Sequence, residues 1–259
     1  MKIVYLCFLA TVMMSCNHGD SQLDKNKKIE VKSDVAEMNL KDSSMETEMD
    51  TTNLINEGDT ISSEITGLNE ANILDLLVSN SVVSGNDLSI KKGTYKLDSP
   101  LKLIAKKNVM IDGNGSTFIM QDGANDVVFL ENCKNITLMN IKATHIEPKG
   151  PLGCTGNVIH IEGCEDVLIE NCDLNGSGIV GIAAYRTQNL VVNNNYIHEN
   201  SQYGIIYQGP GIEINGNIFE DNTQGHIYFS YLDTSWPPKE NINTNQNKEG
   251  LKMFGNSFK

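Results

Sequence analysis

Apolar residues in the second half of the chain alternate with polar ones in short runs, and asparagine or glycine separates the runs. One series is Val109-Met110-Ile111, Ile136-Thr137-Leu138, Val167-Leu168-Ile169, Leu190-Val191-Val192, Ile212-Glu213-Ile214 and Leu251-Lys252-Met253. Most are followed two residues later by Gly or Asn: Gly113, Asn140, Asn171, Asn194, Gly216 and Gly255. A second series precedes each of these: Leu101-Lys102-Leu103, Val128-Phe129-Leu130, Ile159-His160-Ile161, Ile182-Ala183-Ala184, Ile205-Ile206-Tyr207 and Ile227-Tyr228-Phe229. Period-two alternation predicts strands with one buried face. Within the first series the runs begin 27, 31, 23, 22 and 39 residues apart, so the pattern predicts two columns of strands stacked coil upon coil.

Periods near 22 residues suit leucine-rich repeats and parallel β-helices. A leucine-rich repeat needs a helical half with apolar residues three and four apart. Here the connections are Asn, Gly, Ser and Asp, and β-branched residues dominate the apolar positions, which favours the β-helix. Stacking at about 4.8 Å gives a rod roughly 30 Å long for six coils, each contributing to one continuous core. The repeat is sharpest between NNNYIHENSQYGI (193–205) and NGNIFEDNTQGHI (215–227). Asn195, Asn217 and Asn256 are equivalent, as are Asn200 and Asn222. They predict an asparagine ladder between coils, and Asn also tolerates left-handed backbone at a corner.

These repeats resemble the right-handed parallel β-helix proteins of the pectin-lyase-like superfamily. The stretches LSIKKGTYKL (88–97) and NVMIDGNG (108–115) look like the way such folds begin. The resemblance covers about 67 to 258 and implies an all-β solenoid of about six to seven coils. Residues 69–77 are expected to form a short helix that plugs the N-terminal end and blunts the sheet edge.

The N-terminal quarter reads differently. Residues 1–16, MKIVYLCFLATVMMSC, carry an apolar run too short to span a bilayer and laid out as a secretory signal. The ending Met13-Met14-Ser15-Cys16 resembles a bacterial lipobox. That resemblance implies a diacylglycerol on Cys16, a mature chain beginning there, and lipid anchoring to the cell envelope, most naturally the outer membrane or cell surface. From His18 to Thr66 twelve acids face five lysines, a balance of −7 out of the chain's −13. Few apolar residues and no aromatic accompany them, so 17–66 is expected to be a disordered tether. The remaining 67–259 makes one domain. The acidic balance argues against a nucleic-acid partner.

The strand alternation also fixes what faces outward. One outward line is Lys102, Phe129, His160, Ala183, Ile206 and Tyr228. Its neighbour is Ile104, Glu131, Glu162, Tyr185, Gln208 and Ser230, with Arg186, the chain's only arginine, beside Tyr185. Two long connections, 144–156 and about 231–248, flank this column and would wall a groove over it, where such loops usually carry function. Polysaccharide lyases and epimerases that abstract the proton beside a uronate carboxylate need a base, a cation and a proton donor. Tyr185, Arg186, His160 and Lys149 are the candidate catalytic residues. Phe129, Glu131, Glu162, Tyr228 and Trp236 are the candidate sugar contacts. A hydrolase would use paired carboxylates about 5 to 10 Å apart, which Glu131 and Glu162 also allow. The calcium-binding aspartates of pectate lyases and the signatures of polygalacturonases and alginate epimerases are missing. A non-catalytic envelope module is therefore the alternative. His198 and His145 are expected to be solvated wall and loop residues.

Neither cofactor nor metal is expected, since Cys133, Cys154, Cys164 and Cys172 lack zinc-ligand spacing. Cys133 and Cys164 occupy the same place in adjacent coils, within reach of a disulfide, though free buried thiols are the favoured expectation.

Overall fold

The computed structural model describes residues 70–146, 155–176, 179–232 and 240–259. The signal, Cys16 and the tether lie outside the described residues, as do Lys149, Cys154 and Trp236.

The two strand series stack in the expected register. In the first sheet Leu101, Val128, Ile159, Ile182, Ile205 and Ile227 are successive partners, all in parallel strands. In the second sheet Val109, Ile136, Val167, Leu190, Ile212 and Leu251 are likewise successive partners. Residues 101–258 thus wind into about six coils, preceded by a partial one formed by Asp87–Ser89 and Thr94–Leu97.

A third sheet, not anticipated from the sequence, closes each coil. It comprises Thr94–Leu97, the far halves of Lys107–Met120 and Lys134–His145, then Asp173–Asn175, Tyr196–His198, Ile218–Glu220 and Ser257–Phe258. Most of these strands are three residues or fewer, each turning a single side chain such as Leu174, Ile197 or Phe219 into the core. Alternation over so few residues, with Asn, Asp and Glu around them, leaves little trace in the sequence.

Corners between sheets use left-handed backbone. Between the second and third sheets Asn140, Asn171 and Asn194 have φ of 54°, 53° and 54°, and Gly216 and Gly255 have 66° and 67°. Gly113 serves another purpose: a Cβ there would stand 2.7 Å from the Asn140 carbonyl of the next coil.

The asparagine ladder is present. The Asn195 side-chain amide donates to Asn217 Oδ1 at 3.0 Å, and that of Asn217 donates to Asn256 Oδ1 at 3.0 Å. Asn200 donates in the same way to Asn222 at 2.7 Å. Each buried amide thereby finds partners that solvent cannot supply. Cys133 and Cys164 repeat the device with sulfur, the Cys133 amide donating to Cys164 Sγ at 3.3 Å. Cys133, Cys164 and Cys172 are free thiols.

Both ends are closed. The helix Glu70–Val78, one residue later than expected, buries Leu77 against the first coil, and Asn80 accepts the Ile104 amide at 2.8 Å. At the other end Glu240–Ile242 pairs antiparallel with Gly225–Tyr231. Asn245 then extends the ladder, accepting from the Asn256 amide at 3.0 Å and from its side chain at 2.7 Å. No described helix is long and apolar enough to cross a membrane.

Candidate functional site

The outer face of the first sheet carries the two lines the alternation implies. Phe129, His160, Ala183, Ile206 and Tyr228 are successive partners, as are Glu131, Glu162, Tyr185, Gln208 and Ser230. One end of this face is ionisable and the other apolar.

At the ionisable end the rings of Phe129 and His160 meet edge to face, with centroids 5.2 Å apart. His160 and Tyr185 do the same at 5.8 Å. His160 Nδ1 stands 3.0 Å from Asp126 Oδ2. The other oxygen of Asp126 accepts from the Asn157 amide at 2.7 Å and from its side chain at 2.9 Å. On the far side of the imidazole, Nε2 lies 3.9 Å from Glu162 Oε2, too long for a hydrogen bond. The remaining oxygen of Glu162 pairs with Arg186 Nη2 at 2.5 Å.

Burial pushes the Tyr185 phenol up from its ordinary value of 10.0, and the nearby Glu162 and Asp126 charges push the same way. A phenol so placed stays protonated. It is suited to donate a proton rather than to accept one. Arg186, expected as the cation for a sugar carboxylate, is engaged by Glu162.

The apolar end is Val180, Ala183 and Ile206, with Ile179, Tyr185, Tyr203 and Tyr228 packed on them. Tyr203 and Tyr228 stack with centroids 4.7 Å apart at 13°. Although they point outward, Ala183 is 0% and Ile206 1% exposed. Tyr228 therefore sits three coils from His160 and belongs to a separate part of the face. Glu131 is the register partner of Glu162. The candidates Lys149 and Trp236 lie outside the described residues.

Asp126 escaped the sequence reading. Only its place just before Val127-Val128, which opens a first-sheet strand, hinted that it would border the outward line.

Two other histidines correct the expectation of a solvated surface. His198 is 8% exposed. Its Nε2 lies 3.0 Å from Asp173 Oδ1, its Nδ1 lies 3.5 Å from Glu199 Oε2, and Tyr196 stacks on the ring at 3.7 Å. His145 belongs to the strand Lys134–His145 rather than to a loop, is 2% exposed, and donates from Nε2 to the Asn125 carbonyl at 2.9 Å. His145 points into the core from the third sheet, whereas His198 lies on the outer face of that sheet under Tyr196, Asp173 and Glu199, and neither strand shows in the sequence pattern.

A hollow of about 380 Å³ opens elsewhere, beside the second sheet, lined by Val191, Pro210, Glu213, Lys248 and Lys252 among others. Its two lysines are paired with Glu240 and Glu213. It lies away from the acid–base cluster, and its size does not outweigh the chemistry gathered around His160. Among the described residues no group of His, Cys, Asp and Glu is arranged to hold a metal ion.

The family model described as right handed beta helix region matches residues 107–259. The chain belongs to this family. Its solenoid is thus a right-handed parallel β-helix, a fold that in general serves carbohydrate-active or structural modules. Among curated proteins none matches the sequence. A solved structure of Geobacillus virus E2 ORF18 is similar at 14% identity with a TM-score of 0.40, over 72% of this chain and 44% of that one. The β-helix chain thus spans under half the length of that viral protein.

Proposed function

We propose that this β-helix is the exported, lipid-anchored module of a bacterial envelope protein that binds a polysaccharide along its first sheet and processes it by proton transfer at His160. The observation that carries the reading is the Asp126–His160–Glu162 line, set between Phe129 and Tyr185 on an outward face. An imidazole held at Nδ1 by a fixed carboxylate presents Nε2 as a base, and a buried phenol beside it is a proton donor. Aromatic faces on a rigid solenoid suit sugar rings. Of the lyase-like inventory, base and donor are in place, while the cation Arg186 is already paired.

That last point favours the second reading, a non-catalytic envelope module. The two separate by experiment. Full-length protein is run in affinity gels containing a panel of polysaccharides, and product formation is followed by reducing ends and by ultraviolet absorbance of unsaturated sugars. Retardation with product that disappears in His160→Ala supports catalysis. Retardation without product leaves a binding module, and neither result on any glycan removes the reading. Anchoring is tested separately, since radiolabelled palmitate should enter the protein and fail to enter Cys16→Ser.

A further inference from the structure

We infer that the sugar on this face presents hydrogen-bond donors and no carboxylate: it is a neutral or amine-bearing glycan, not a polyuronate. The inference rests on the glycan reading above and specifies its ligand.

A carboxylate only accepts, so the imidazole nitrogen 3.0 Å from Asp126 Oδ2 carries the ring proton. Nε2 is then a lone pair, and it is buried without a hydrogen-bond partner. Facing it at 3.9 Å is Glu162 Oε2, a second acceptor. Two acceptors at that separation share no proton of their own; an ammonium placed between them satisfies both, whereas a hydroxyl, with its single proton, satisfies one of them. Buried polar atoms left unpaired are costly and rare in native structures.

A second gap of the same kind lies further along. Ser230 is 3% exposed, and its Oγ has no hydrogen-bond partner. It occupies the same outward line as Glu162, three coils on, which is about 14 Å at the usual strand spacing. Six buried side-chain atoms lack a hydrogen bond among the described residues; two of them, His160 Nε2 and Ser230 Oγ, lie on this one face without an ion pair either. Two unsatisfied positions on one face, three coils apart, call for an extended ligand that runs along the axis and carries a polar group at each place. A glycan does so.

Charge selects among glycans. Asp126, Glu131 and Glu162 border the ionisable end against Lys102 and Arg186, and Arg186 is held by Glu162. A uronate carboxylate placed there would be desolvated beside like charges, which is unfavourable. Elimination or epimerisation beside a sugar carboxylate is accordingly not the chemistry of this site.

The test uses the full-length protein in affinity electrophoresis and calorimetry. The neutral probes are cello-oligosaccharides, laminarin, dextran and mannan; the amine probe is chitosan; the uronate probes are pectate, alginate and hyaluronate. Binding is expected to neutral or amine probes and not to uronates. Glu162→Gln, which keeps the shape, should weaken chitosan binding at least about tenfold if an ammonium is held. It should weaken neutral binding only a few-fold if a hydroxyl is. Ser230→Ala should weaken either by about three- to tenfold with the melting temperature unchanged. Tightest binding to a uronate overturns the inference and leaves the glycan reading standing. Unchanged affinity in both folded variants overturns the placement of the ligand, and silence across every probe removes the glycan reading itself.

Discussion

Asp126 holds one carboxylate oxygen 3.0 Å from Nδ1 of His160, a residue 34 positions further along the chain and one coil away. Two hydrogen bonds from Asn157 fix the other oxygen, so the carboxylate cannot turn away. In this arrangement Asp126 is a positioning residue that selects which imidazole nitrogen carries the proton.

Asp126→Ala should therefore change the tautomer before it changes the fold. Imidazole ¹⁵N shifts of His160 should report the Nδ1–H form in the native protein and a shift towards the Nε2–H form in the variant. Any glycan turnover should drop by about a hundredfold, the scale of a misaligned general base. A tautomer that does not respond would show that the carboxylate does not set it.

The ladder is expected to dominate local stability. Asn217 accepts from the Asn195 amide at 2.8 Å and donates to the Val192 carbonyl at 2.7 Å, besides its links to the neighbouring asparagines. Asn217→Ala leaves several of these buried groups unpaired and should cost at least about 3 kcal/mol in urea unfolding. Asn171→Gly, at an exposed corner with φ 53°, should stay within about 0.5 kcal/mol because glycine takes that backbone freely.

Acid should loosen the structure through His145. Burial pulls this imidazole below its ordinary value of 6.5, outweighing the opposing pull of the Asn125 carbonyl. In the pH window just below that value the unfolded chain binds a proton that the folded chain refuses. Stability from this group is therefore complete above about 6.5 and is lost as the pH falls through the folded value. Unfolding free energy measured from pH 8 to pH 5 should decline below about 6.5, and His145→Gln should flatten part of that decline. His226, shifted the same way by burial, should supply some of the remainder.

The coil pattern was legible because Val, Ile and Leu recur at alternate positions across both long strand series, and stacking rewards only that register. The outward line followed without further choice, which is why Phe129, His160, Glu162, Tyr185 and Arg186 could be named and are found together. What escaped was short or irregular. The short strands of the third sheet leave one core residue each, Leu174 or Ile197, so nothing in the spacing shows that Asp173 and Glu199 enclose His198. Asp126 sits in a connection where no periodicity acts. The pairing of Arg186 with Glu162 depends on side-chain direction at a left-handed corner, φ 49°, and spacing alone carries no information about it.

The C-terminal cap has a consequence for assembly. Without Glu240–Ile242, the last first-sheet strand would present a free edge, and without Asn245 and Asn247 the amides of Asn256 and Met253 would lose their acceptors. Ile242, 2% exposed, anchors this segment in the core. Ile242→Asp combined with Asn245→Ala should therefore release the cap while the coils above it stay folded. Open parallel edges recruit other strands. The helix and Asn80 still close the opposite end, so only one sticky surface is created per molecule. Pairing of that surface with its copy closes on itself, and the expected product is a discrete dimer rather than a filament. Sedimentation velocity should show a concentration-dependent dimer for the double variant, absent from the native protein at the same concentrations. A folded variant that remains monomeric would show that the segment contributes core packing and leaves no edge to guard.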